Sequence, residues 1–182
     1  MDRPTGPDGV ISKAIVSRRE AARTREGWVK LGANVLVLVV VLWVLFSFVF
    51  FVHRVSGNDM YPATQDGDVL IGWRLGRDFK KGDLVVYEVD GTVRVGRIAA
   101  LGGDVVNVGS DGLVTVNGTP DSDALYETDG GSIISYPYLV PDGEVFILGD
   151  FRTQATDSRE LGAVPSSDVE GAAIGLLRRR NL

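Results

Sequence analysis

The 182-residue chain contains no cysteine and a single histidine, His53. The fold must therefore hold without disulfides, and neither thiol chemistry nor a Cys/His metal site is available to it. A Ser-His-Asp triad is almost excluded, because His53 lies at the edge of a long apolar segment and reads as an interfacial residue. We expect no metal and no cofactor.

Charge is missing from residues 31–52, which contain no Asp, Glu, Lys or Arg. As a helix, this segment would be about 33 Å long, enough to cross a hydrocarbon layer of about 30 Å. The run is too long for the apolar region of a signal peptide and does not end in small residues. Its only polar residues are Asn34 and Ser47, too few for the outward face of a soluble helix. The sequence predicts a transmembrane helix over residues 31–52.

Basic and acidic residues are distributed unequally on the two sides of this segment. Residues 1–30 carry seven basic and four acidic groups, whereas residues 55–182 carry eleven basic and twenty acidic groups. The positive-inside rule then predicts a single-pass protein of the cell membrane, with a cytoplasmic N-terminus and an extracellular C-terminal domain. So acidic a domain argues against nucleic acid as a partner. Residues 1–30 form either a basic tail or an amphipathic helix lying on the lipid bilayer, with Trp28 at the headgroups.

Beyond residue 55 the chain consists of short apolar runs rich in Val and Ile, separated by Gly, Asp and Pro. Each run has strand length and β-branched content. This spacing favours antiparallel pairing over βαβ units, so we predict a mainly β, antiparallel domain over residues 55–182. The predicted strands are DVLIGW (68–73), DLVVYEV (83–89), TVRVGRIAA (92–100), DVVNV (104–108), LVTVNG (113–118), SIISYPYLV (132–140) and EVFILGD (144–150), with a last one opening IGLLRRRNL (174–182).

Three motifs follow the apolar segment in order. The first two are SGNDMYP (56–62) and GRIAALGGD (96–104), and the third is GDFRTQATDSRELGAV (149–164). Together they resemble type I signal peptidases, the membrane-bound serine/lysine proteases that remove signal peptides. The first motif matches that family at Gly57, Met60 and Pro62. The resemblance covers nearly all of residues 30–180.

The resemblance implies a signal-peptidase-like antiparallel β domain behind one N-terminal transmembrane helix. It also implies a groove that takes an extended peptide by strand addition. In the family a serine hydroxyl attacks the peptide carbonyl, and a desolvated, neutral lysine takes the proton. Here Asp59 stands at the serine position and Gly96 at the lysine position, so neither half of the dyad is intact.

Other residues are poor substitutes for the dyad. Arg97, which follows Gly96, stays protonated and cannot act as a base. Ser56 is three positions from the matched site, and Lys80 and Lys81 lie in a polar turn. An aspartic-protease pair would require Asp59 to share a proton with Asp150 or Asp157. We expect the space left at Gly96 to admit water or an arginine, and Asp59 to pair with an arginine or with backbone donors.

The remaining matched residues are expected to form the groove and its support. The predicted peptide groove consists of Gly57, Asn58, Asp59, Met60, Tyr61, Pro62 and Arg97. Ion pairs and hydrogen bonds around the site are expected to serve architecture rather than chemistry. The predicted scaffold consists of Asp150, Arg152, Asp157, Ser158 and Arg159.

Asp and Gly at the two dyad positions resemble one subgroup of the family. Its members are the non-catalytic, signal-peptidase-like proteins of Gram-positive bacteria that assist sortase-dependent pilus assembly. The resemblance implies an assembly factor or chaperone that binds exported polypeptide or pilin subunits beside a sortase. The alternatives are a signal peptidase I that processes exported preproteins with an atypical active site, and a passive membrane anchor without a client. The sequence leaves open whether the protein is an enzyme, what its client is and how it oligomerises.

Overall fold

The computed structural model describes residues 7–110, 112–121, 128 and 134–179, with the backbone alone for residues 7–26. The chain divides after Ser47 into two compact units. The first contains most of a long helix, α1 (Pro7–Val49). Within α1, Gly27–Val49 is apolar and long enough to cross a membrane, which fits a membrane anchor. The helix ends at Val49, three residues before the predicted end at Val52, and residues 1–6 lie outside the described part.

The second unit is an antiparallel β domain, which confirms the predicted fold class. Runs of Val, Ile and aromatic residues form its strands because these side chains pack well on a pleated surface. The elements are β1 (Phe50–Arg54), β2 (Val69–Trp73), β3 (Leu84–Val89), β4 (Thr92–Leu101), β5 (Val105–Val108), β6 (Val114–Val116), β7 (Thr119–Pro120), β8 (Tyr138–Leu139), β9 (Glu144–Leu148), α2 (Ser158–Leu161), β10 (Val164–Pro165) and β11 (Val169–Leu177).

Two sheets form the domain in its described part. The larger has seven strands in the order β1-β2-β11-β3-β4-β9-β10, and the smaller has four in the order β7-β6-β5-β8. Two-residue turns join β3 to β4 and β6 to β7. Asp90-Gly91 and Asn117-Gly118 have positive φ at both positions, which matches the right-handed twist of the strands that they join.

Strand β1 was not predicted, because its first three residues, 50–52, were assigned to the end of the membrane helix. Its Phe51 side chain is only 2% exposed and packs with Leu70 and Val86 in the core of the domain. Of the predicted strand 132–140, only Tyr138 and Leu139 are paired, and its first two residues lie outside the described part.

A buried apolar layer lies between the two sheets. It combines Ala100, Phe146 and Leu148 of the larger sheet with Val106 and Val114 of the smaller one. Another cluster, which contains Val55, Met60 and Val95, lies directly below the turn that carries Asp59. This cluster fixes the turn against β4.

Candidate peptide-binding groove

The turn that carries Asp59 follows β1 and is held by the chain just before β2. The N–H of Gly67 donates to the carbonyl of Val55 at 2.9 Å. The N–H of Gly57 donates to a carboxylate oxygen of Asp66 at 3.1 Å, and the Asp66 N–H donates to Oδ1 of Asn58 at 3.2 Å. These bonds fix the backbone on the N-terminal side of Asp59.

A groove of about 210 Å³ separates this turn from the first half of β4. It is lined by Val55, Ser56, Gly57, Asp59, Met60, Thr92, Val93, Arg94 and Val95. Among the predicted groove residues, Gly57, Asp59 and Met60 line it. Asn58, Tyr61 and Pro62 belong to the same turn but are not part of the lining.

One edge of β4 is open beside this groove. From Thr92 to Gly96 the strand pairs with β3 on one side. On its other side, pairing with β9 begins only at Arg97, opposite Leu148. Within the described residues, five positions of β4 therefore have no strand on the side of the groove. An open edge of this kind presents N–H and C=O groups that an added strand can use.

The Asp59 side chain is half-buried and receives no hydrogen bond and no ion pair within 4.0 Å from any described residue. Burial raises the pKa of the Asp59 carboxyl above its usual range, the Arg94 charge opposes that rise, and the Asp157 charge adds to it. An arginine was expected to pair with Asp59. Arg94 does act on Asp59 through its charge, but the two side chains form no ion pair. The expected backbone donors are absent from the described part of the chain.

The space expected at Gly96 is filled, so this prediction is wrong. A Cβ atom at Gly96 would lie 2.3 Å from Cγ2 of Ile147 and 3.1 Å from Cε1 of Tyr87. Both neighbours are buried, with Ile147 at 0% and Tyr87 at 2% exposure. Among the described residues, the buried side chains of Ile147 and Tyr87 therefore fill the space beside Gly96.

Arg97 does not line the groove, which corrects its assignment as a groove residue. Successive side chains on a strand point to opposite faces, so Arg97 points away from the face of Gly96. Its guanidinium binds Asp150 in a bidentate ion pair, with N···O distances of 2.8 and 2.7 Å, and donates to the Gly82 carbonyl. It lines a separate cleft that extends to β6 and β7.

The buried pair Asp157 and Arg159 lies at the start of α2. The Arg159 Nε donates to Asp157 Oδ1 at 2.8 Å, and Nη2 donates to Oδ2 at 2.9 Å. Asp157 also caps α2 by accepting from the Arg159 N–H, and it accepts the N–H of Gly149 at 2.9 Å. The pair thus connects α2 to the segment that leaves β9.

Two more of the predicted scaffold residues connect neighbouring segments. Ser158 Oγ accepts the N–H of Ile147 at 2.9 Å, so it holds the strand whose side chain fills the space at Gly96. Arg152 is 3% exposed and donates to the Gly149 carbonyl and to Asp121. All five predicted scaffold residues are buried.

The geometry gives no support to a shared-proton pair. Both oxygens of Asp150 accept from Arg97, and both oxygens of Asp157 accept from Arg159. Because guanidinium groups already donate to both oxygens of each carboxylate, neither Asp150 nor Asp157 is placed to share a proton with Asp59. Ser56 does line the groove, but none of the lysines in the described part of the chain does. Lys81, in the polar turn, forms a salt bridge with Asp104 at 3.1 Å.

The sequence interpretation missed Arg94, Tyr87 and Ile147. Arg94 could have been found, because a residue two positions before Gly96 on a strand shares its face. Burial raises the pKa of the Tyr87 phenol, and the Asp157 charge adds to the rise. Tyr87 and Ile147 reach Gly96 from other strands, so no local pattern indicates them.

An antiparallel β domain that follows an apolar helix in the chain, with a groove beside an open strand edge, is the architecture expected of the signal peptidase class. The family model described as signal peptidase, peptidase S26, matches residues 27–177, and the chain belongs to this family. A signal peptidase I of Bacillus licheniformis is 31% identical over 80% of this chain and 84% of its own. A probable signal peptidase I-2 of Synechocystis is 30% identical over 86% of this chain and 76% of its own. A crystal structure of a signal peptidase I from Enterococcus faecalis aligns with a TM-score of 0.44 at 24% identity, covering 52% of this chain and 95% of that one.

Proposed function

We propose that this chain is a membrane-anchored, non-catalytic signal peptidase I homologue that holds an exported polypeptide in its groove without cutting it. The observation that carries the proposal is the state of the two dyad positions. By resemblance, Asp59 stands where the family has its nucleophile, and in the structure the side-chain space at Gly96 is occupied by Ile147 and Tyr87.

The chemistry of the groove supports binding over cleavage. A serine nucleophile needs a base within hydrogen-bond reach, and the described residues that line this groove include no lysine. A carboxylate is a poor nucleophile for an amide, because the anhydride it would form is less stable than the amide. The cation whose charge acts on Asp59 is Arg94. An arginine does not accept protons near neutral pH, so it cannot serve as the base.

Binding would use the open edge of β4. An extended client segment laid along Thr92–Gly96 would add a strand to the larger sheet through main-chain hydrogen bonds. The apolar side chains of Val55, Met60 and Val93 would contact alternate side chains of the client. The buried scaffold pairs would keep the Asp59 turn and the segment after β9 in place.

The apolar helix would anchor the protein in the cell membrane, with its N-terminus in the cytoplasm and the β domain outside. The excess of basic residues before the helix supports this orientation. Asp59 and Gly96 resemble the pilus-assembly subgroup of the family. We therefore extend the proposal to an assembly factor for sortase-dependent pili, with pilin subunits as clients and a sortase as a neighbour.

A second candidate is a signal peptidase I that cleaves preproteins with an atypical site. It is favoured by the relatives named signal peptidase I and by the presence of Ser56 in the groove. To separate the two, the full-length protein in detergent micelles is incubated with a preprotein, and mass spectrometry is used to search for a mature N-terminus. We expect none. Cleavage that Asp59→Ala or Ser56→Ala abolishes, and that Asp142→Ala at an exposed site preserves, would establish the enzyme instead.

The client is tested in the native membrane with a photocrosslinking residue placed at Val93, on the rim of the groove. The matched control position is Leu139, which is exposed on the smaller sheet. We expect adducts with exported polypeptide from Val93 and not from Leu139. Pilin subunits in those adducts would support the pilus assignment, whereas equal adducts from both positions would contradict a specific groove.

A further inference from the structure

The polarity of the groove is opposite to that of a peptidase site. A serine hydroxyl faces the carbonyl carbon of a bound peptide, and donors nearby stabilise its oxygen. A carboxylate at the same place repels a carbonyl oxygen and attracts a donor or a cation. The replacement at Asp59 therefore changes which part of a client fits at this position.

The surroundings of Asp59 allow it to bind a hydrogen-bond donor or a cation of a client. Its carboxylate lines the groove and receives no donor or ion pair from any described residue. The rest of the groove lining is mostly apolar and includes one cation, Arg94, which forms no ion pair with Asp59. A half-buried carboxylate without a partner is costly, and a close cation offsets that cost.

We propose that the groove selects an extended segment that carries a basic side chain, lysine in the simplest case, which pairs with the carboxylate of Asp59. This inference rests on the proposed function and names the chemistry of the client. The excess of acidic groups over residues 55–182, twenty against eleven basic ones, attracts the same class of client at long range.

A basic side chain fits better than a neutral donor. In a client strand added to β4, the main-chain N–H groups that face β4 would donate to carbonyls of its open edge. They would then not be available to Asp59. A neutral donor would leave the formal charge of Asp59 half-buried, whereas an ammonium group neutralises it at short range. Arg94 acts on Asp59 only through space, so the position for a direct partner is open.

The probes are three labelled peptides of alternating alanine and valine, with blocked ends and a central lysine, norleucine or glutamate. Norleucine keeps the methylene chain and removes the charge. Each peptide is titrated into the full-length protein in detergent micelles at moderate salt. We expect the lysine peptide to bind roughly tenfold more tightly than the norleucine peptide, and the glutamate peptide to bind most weakly.

Two variants with the same change in net charge locate the effect. Asp59→Asn keeps the shape of the side chain, and we expect it to reduce the preference for lysine to about onefold. Asp142→Asn removes a charge from an exposed turn outside the groove, and we expect it to preserve the preference. Melting curves of both variants show that each is folded.

The outcomes separate this inference from the function on which it rests. Equal binding of the lysine and norleucine peptides, with photocrosslinking at Val93, would overturn the basic client and keep the groove. The pairing would be overturned if the preference for lysine survived Asp59→Asn, or if Asp142→Asn reduced it equally. The preference would then come from the overall negative charge of the domain. Failure of all three peptides to bind would overturn both proposals.

Discussion

The main-chain carbonyl of Asp59 accepts a hydrogen bond from the N–H of Phe151, with an N···O distance of 2.9 Å. This bond joins the turn after β1 to the segment that leaves β9, more than ninety residues later in the chain. In the same region the N–H of Asp150 points at Sδ of Met60 at 3.4 Å. The place of Asp59 at the groove is therefore set by residues 149–151 as much as by its own turn.

Gly149→Ala should destabilise the protein by about 3 kcal/mol, because the added methyl has no room. Its Cβ would lie 2.2 Å from Cβ of Ala155 and 2.7 Å from the carbonyl oxygen of Asp59. Gly175→Ala is the control, since its Cβ would meet only Cβ of Ile71 at 4.0 Å. Chemical unfolding of the full chain measures both. Equal effects of the two substitutions would contradict the close packing at Gly149.

Gly96→Ala and Ile147→Ala should be coupled. Alone, Gly96→Ala should cost roughly 1–3 kcal/mol by overpacking, and Ile147→Ala roughly 2–5 kcal/mol by leaving a cavity. The double variant should cost less than the sum, because Ile147→Ala removes the Cγ2 atom that the new methyl meets. Unfolding free energies of the four proteins give the coupling. Strict additivity would show that Ile147 does not fill the space beside Gly96.

The same packing predicts the result of restoring the family dyad. Asp59→Ser with Gly96→Lys should yield no cleavage of a preprotein, because the lysine side chain starts against Ile147 and Tyr87. Adding Ile147→Ala removes the side chain that most closely blocks the lysine. Cleavage is therefore expected, if anywhere, in this three-residue variant. Mass spectrometry of the preprotein is the measurement. Full activity of the two-residue variant would contradict the filled space at Gly96.

Asp157→Asn should cost about 3–5 kcal/mol, since it leaves the buried Arg159 charge uncompensated. Glu170→Gln removes one partner of the exposed pair with Arg74 and should cost about 1 kcal/mol or less. Thermal unfolding of both variants gives the comparison. Similar losses in the two would show that burial of the Asp157 pair has little consequence.

Asp59→Asn should stabilise the empty protein at neutral pH. Because burial raises the pKa of Asp59 in the folded state, ionising it costs stability. That cost is present above the folded pKa and disappears as the pH falls below the usual aspartate range, so the advantage of the variant should fade there. Unfolding at several pH values, with Asp142→Asn as the control, provides the test. An advantage that grows as the pH falls would have the wrong sign.

Local patterns predicted much of the β domain, because alternating β-branched runs form strands largely independently of what they pair with. Strand β1 was missed for a physical reason: Phe50, Phe51 and Val52 are as apolar as the helix before them. Composition cannot distinguish a residue buried in lipid from one buried in a β core. Only the pairing of β1 with β2 distinguishes them.

The sequence alone showed Asp59 and Gly96 where its resemblance to the family places the dyad, and it contains no cysteine and only one histidine. It also determined the length of the apolar segment and the unequal distribution of basic and acidic residues on its two sides. The tertiary structure decided what surrounds Gly96, because Ile147 and Tyr87 reach it from two other strands. It turned Arg97 to the opposite face, where it binds Asp150, and left the edge of β4 open. Such contacts depend on strand register and side-chain direction, which pairing between distant segments sets and which no local stretch of sequence encodes.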